Sequence, residues 1–124
     1  MRNKLLVLSA VVTALILSGC ATNDKLYDYG DYTETYYDLK KEPTEENIVE
    51  WKEELESIRN DSQDDKKRVP PGISANLGYL SLQQQNYAKA IEYFSYEKSI
   101  YPESTAFMNR LIQKAEKLQS QGKK

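Results

Sequence analysis

The side chains that ordinarily carry enzyme chemistry are scarce in this sequence, which has no histidine and a single thiol, Cys20. Histidine-dependent triads and the usual zinc sites therefore lack their parts, and a lone cysteine has no partner for a disulfide. Carboxylates remain, and a pair of them can cleave a glycosidic bond such as those of cell-wall polymer. The acids, however, fall on the outward faces of amphipathic segments, where their ordinary effect is solubility. Asp61, Asp64 and Asp65 cluster as calcium ligands do. That stretch lacks the glycine of the sharp turn and the closing bidentate glutamate of a calcium loop, so it reads as solvated charge. There is no glycine-rich phosphate loop and no dinucleotide fingerprint. The reading is a non-catalytic protein with no cofactor, no metal and no small-molecule substrate.

Cys20 has a different chemistry open to it, set by what precedes it. Met1-Arg2-Asn3-Lys4 is short and basic, and Leu5 to Leu17 is apolar apart from Ser9 and Thr13. A basic head, a short apolar run and a small-residue cleavage site read as a secretory signal over residues 1–19. Leu17-Ser18-Gly19-Cys20 resembles the lipobox of bacterial lipoproteins. That resemblance implies a diacylglyceryl group on the Cys20 sulfur, cleavage before Cys20 and acylation of the new amino group. Ala21, in place of aspartate, implies sorting to the outer membrane, with the chain held on the periplasmic face. Each acyl chain contributes roughly 0.8 kcal/mol per buried CH₂, so several together make the attachment close to permanent. Removing Arg2 and Lys4 with the leader leaves fifteen basic residues against nineteen acidic ones, a net charge of about −4. A mildly acidic surface excludes nucleic acid as a partner, because phosphate binding needs a basic stripe.

The elements behind the anchor are read as helices. Residues 20–25 form a lipidated tether and 26–124 a single all-α domain. Tyr32, Tyr36 and Leu39 share one helical face, so a short helix is expected over Thr33 to Lys41, after a turn at Gly30-Asp31 and before Pro43. Thr44 is a good N-cap, and Ile48, Trp51, Leu55 and Ile58 predict an amphipathic helix to about Arg59. Asn60 to Arg68 has no apolar residue and reads as an exposed loop. Beyond Val69-Pro70-Pro71-Gly72, three helices are expected at about Ile73 to Gln84, Ala88 to Ile100 and Ser104 to Gln119, arranged as antiparallel hairpins.

Pro71 to Pro102 resembles one tetratricopeptide repeat. Leu77-Gly78 stands at the Leu-Gly pair of the first helix, and Tyr87 at the aromatic of the turn. Ala90 and Phe94 hold the small and aromatic positions of the second helix, and Pro102 is the closing proline. Small residues at 78 and 90 let two helices approach, while Phe94 and Tyr87 fill the wedge. Ser81, Gln85 and Glu97 depart from the pattern, replacing an aromatic, a glycine and an alanine. Glu97 is the most awkward, since a carboxylate there must be exposed or paired. Gly30-Asp31-Tyr32 with Thr33 to Lys41 resembles the second half of a degenerate repeat, giving two to two-and-a-half repeats.

A closer resemblance spans nearly the whole chain after the leader. Leu26-Tyr27-Asp28-Tyr29-Gly30-Asp31-Tyr32, Val69-Pro70-Pro71-Gly72, Asn76-Leu77-Gly78-Tyr79-Leu80, and Glu97-Lys98 with Tyr101-Pro102-Glu103-Ser104-Thr105-Ala106-Phe107-Met108 carry it. The chain resembles small bacterial lipoproteins with a domain of unknown function. These are often encoded beside a lipoprotein similar to the curli secretion channel and another outer-membrane lipoprotein. Tyr29 stands where that family often has tryptophan. The resemblance implies membership of a complex of envelope lipoproteins.

Two surfaces are candidates for partner contact. In tetratricopeptide arrays the first helix of each hairpin lines a groove, and Asn76, Tyr79 and Gln83 lie at i, i+3, i+7 away from Leu77 and Leu80. Amides there can hydrogen-bond a partner's backbone, and a tyrosine is a rigid amphipathic anchor. The second is the group Tyr27, Tyr29, Tyr32, Tyr36 and Tyr37. Tyr27 lies within about 25 Å of the anchor, so these rings either meet lipid headgroups or pack on neighbouring helices. The expected function is a protein-interaction scaffold or assembly factor. The alternative is a peptidoglycan-associated accessory protein that modulates cell-wall synthesis.

Overall fold

A computed structural model describes Met1 and residues 25–122. Cys20 and, apart from Met1 and Lys25, the expected leader and tether lie outside the described residues. Among the described residues five α-helices follow one another: α1 Tyr32–Lys41, α2 Glu45–Asp64, α3 Ile73–Gln83, α4 Tyr87–Ile100 and α5 Thr105–Gln121. A 3₁₀ turn, Pro102–Ser104, leads into α5. No strand occurs among the described residues, and none of their helices is long and apolar enough to cross a membrane.

Each helix packs on the next, most extensively α3 on α4 and α4 on α5. Short connections enforce this antiparallel arrangement. Glu42-Pro43-Thr44 turns α1 into α2, and Thr44 caps α2 by accepting a hydrogen bond from the Asn47 N–H at 3.2 Å. Asn86 does the same for α4, accepting from the Lys89 N–H. α1, expected as the second half of a degenerate repeat, packs on α2, the helix that follows it.

The helix expected to stop near Arg59 runs on to Asp64, and much of the stretch read as a loop is therefore helical. The inward stripe of Trp51, Leu55 and Ile58 continues one turn further at Ser62, which is buried. Its hydroxyl donates to the Ile58 carbonyl at 2.7 Å, so a polar residue can occupy a core-facing position. The helix ends in a Schellman motif. The Lys67 and Lys66 N–H groups reach back to the Ser62 and Gln63 carbonyls, and Lys66 takes the left-handed conformation (φ 55°). α3 ends the same way at Gln85 (φ 60°), the residue standing where the repeat has glycine. Gln85 supplies by strain the backbone shape that glycine adopts freely.

The core has two centres. One joins Trp51, Leu55 and Ile58 of α2 to Ile73, Leu77 and Leu80 of α3, with Val69 and Tyr93. The other joins Leu82 of α3 and Ala90 and Phe94 of α4 to Met108, Ile112 and Ala115 of α5. Gly78 and Phe94 meet as the repeat pattern requires. A Cβ on Gly78 would come within 2.5 Å of the Phe94 ring, so only glycine leaves the ring room against α3.

Candidate docking face

The three α3 residues expected to face a partner separate into two roles. Asn76 is half-buried, and its Nδ2 donates to the Tyr32 hydroxyl at 3.3 Å. Its amide is thus committed to the seam between α3 and α1. Tyr79 and Gln83 stay on the surface, Tyr79 with 49% of its area exposed. A large amphipathic ring left this open, on a helix whose Ile73, Leu77, Leu80 and Leu82 are buried, is the kind of residue that can anchor a partner.

Gln83 also borders a cleft of about 260 Å³ where the start of α2 meets the end of α3. Ile48, Val49 and Leu80 give it an apolar floor, and Glu45, Gln83 and Gln84 give it a polar rim. This is below the usual volume of a small-molecule site and suits one or two side chains of another protein. The rim amides offer donors and acceptors to a backbone laid across it.

The tyrosines form a continuous ladder. Tyr27 meets Tyr29 edge-on, Tyr29 meets Tyr32, and Tyr32 stacks on Tyr36 at 5.9 Å. Tyr32 and Tyr36 both lean on Trp51. Four of the five rings therefore pin the segment before α1, and α1 itself, to α2. Tyr37 is off the ladder and 65% exposed.

Glu97 is neither exposed nor ion-paired: only 3% of its area reaches solvent. Its Oε1 accepts the Gly72 N–H at 2.7 Å, and the N–H groups of Ala75 and Ser74 also favour its charge. A carboxylate reaching from α4 thus caps the start of α3, where orphan N–H groups and the helix dipole attract an anion. Beside it, the Tyr101 hydroxyl donates to the Val69 carbonyl at 2.7 Å. Together these bonds clamp Val69-Pro70-Pro71-Gly72 against α4.

Burial outweighs the hydrogen bonds and pushes the Glu97 carboxyl above its ordinary value of 4.5. A group that binds its proton more tightly folded than unfolded helps stability below the ordinary value, and that help fades as pH rises through the raised one. Glu97→Gln keeps an acceptor for Gly72 and should flatten this decline in thermal melts recorded across pH. Glu97→Ala should cost about 1–3 kcal/mol by leaving the Gly72 N–H buried and unpaired.

The acidic run is accounted for structurally. Asp61 accepts from the Ser57 hydroxyl, and Asp65 pairs with Lys67. Among the described residues no group of three or more cysteine, aspartate or glutamate side chains converges to hold a metal ion.

The described residues thus form paired helical hairpins, with Tyr79 and Gln83 left exposed on α3. The chain belongs to the family described as Domain of unknown function (DUF4810), which it matches over residues 26–111. No curated protein and no solved structure matches it.

Proposed function

We propose that this protein is a non-catalytic outer-membrane lipoprotein that holds other envelope lipoproteins together, as a scaffold or assembly factor, through the Tyr79–Gln83 face of α3. The observation that carries this reading is the pairing of an exposed aromatic anchor with an amide-rimmed apolar cleft on a rigid helix. The lipobox-like Leu17-Ser18-Gly19-Cys20 supports attachment to the membrane, and Ala21 supports the outer one, with the domain on the periplasmic side. The absence of histidine and of any thiol but Cys20 supports a binding role over catalysis.

Affinity capture of the intact protein from membranes should recover other lipoproteins. Replacing Tyr79 and Gln83 together with alanine should reduce that recovery at least tenfold while leaving helical content unchanged by circular dichroism, since neither side chain is in the core. Recovery of sacculi instead, by cosedimentation that survives the double substitution, would replace this reading with a peptidoglycan-binding one.

A further inference from the structure

Two helices carry charge stripes of opposite sign, each with one open apolar residue, Val49 within the acidic stripe and Phe107 at the start of the basic one. On α2, Glu46, Val49, Glu50 and Glu53 lie at i, i+3, i+4, i+7 and therefore share one face, with Glu45 beside them. These five line a shallow concavity in which Val49 is 52% exposed. On α5, Phe107, Arg110, Leu111, Lys114, Lys117 and Leu118 recur at helical spacing, and Phe107 is 60% exposed. The sole acidic residue of α5, Glu116, falls outside that stripe. Among the described residues, the ion pairs join Lys52 to Glu56, Lys67 to Asp65 and Lys89 to Glu92. None of them neutralises a stripe residue on either helix.

We propose that the basic stripe of α5 in one copy docks on the acidic stripe of α2 in a second copy, so that the chain associates with itself head to tail. Like charges on one helix face repel, and an oppositely charged partner relieves both stripes at once. Phe107 and Val49 add apolar contact to a charge attraction that salt would screen. Both halves of the match are present in every copy, with the same three-to-four-residue spacing, which is what singles out the chain itself as the occupant. Because the two stripes are different surfaces, the contact is heterologous and extends into a row of copies. The acidic concavity shares Glu45 and Val49 with the cleft that Gln83 borders, whereas Glu46, Glu50 and Glu53, like Tyr79 and Gln83, belong to one surface only.

The test uses two differently tagged full-length copies, co-expressed, solubilised from membranes and captured through one tag. Wild-type copies should capture each other, and less so as salt is raised. Arg110→Glu with Lys114→Glu and Lys117→Glu in both copies should cut recovery at least tenfold, as should Glu46→Lys with Glu50→Lys and Glu53→Lys in both. Pairing one copy of each triple variant should restore recovery, because that pair retains one native acidic stripe facing one native basic stripe. Association that persists in either matched variant, or fails to return in the mixed pair while both fold, overturns the proposal. So does a photoreactive residue at Phe107 that crosslinks only to lipid or to a different protein.

Discussion

Cys20→Ser is expected to abolish lipid incorporation and to remove the protein from the outer-membrane fraction. No described helix is long and apolar enough to cross a bilayer. Acyl chains supply roughly 0.8 kcal/mol per buried CH₂, and a single chain gives only reversible binding, so lasting attachment takes several chains. In the proposed lipoprotein all of them enter through the modification of Cys20. Incorporation of labelled palmitate should fall to background. The variant is then either released or held by an uncleaved leader, two fates told apart by the mass of the chain. Label and outer-membrane fractionation that match the wild type would refute lipidation at Cys20.

Phe94→Ala is expected to cost about 3–5 kcal/mol, the usual range for emptying an aromatic site in a core. Phe94 is fully buried, and its ring sits between Gly78 of α3 and the α5 side chains of the second core centre. Its loss removes the wedge that holds the α3–α4 hairpin to α5. In a domain of this size 1 kcal/mol moves the melting midpoint by roughly 4–8 °C, so the midpoint should fall by more than about 12 °C. Circular dichroism followed with temperature checks this. A fall of only a few degrees would mean that the three helices are not held by this contact.

The helical architecture was legible because apolar residues recur at three-to-four-residue spacing and the breaks between helices carry proline or a capping side chain. Thr44, Pro43 and Pro102 punctuate the chain where the spacing says they should. Ser62 was not legible, since apolar periodicity has no means of scoring a serine that turns inward and satisfies its own hydroxyl. Glu97 escaped for a similar reason. A carboxylate at a packing position reads as an error in the repeat until the start of α3, twenty-five residues earlier in the chain, is brought against it. Of the three candidate contact residues, Tyr79 and Gln83 lie on the outside, as their spacing indicated. Spacing could not foresee that Tyr32, forty-four residues before Asn76, would claim that amide. Local rules find faces and caps, whereas long-range polar partners depend on how hairpins stack.

The central claim is that the open face of α3 is where another envelope lipoprotein docks. A photoreactive amino acid placed at Tyr79 in the full-length protein, activated in living cells and followed by mass spectrometry of the adducts, addresses it directly. The account expects one dominant adduct with another lipoprotein, diminished when Gln83 is changed to alanine. Adducts no richer than those from an exposed site elsewhere, such as Gln113, would contradict it.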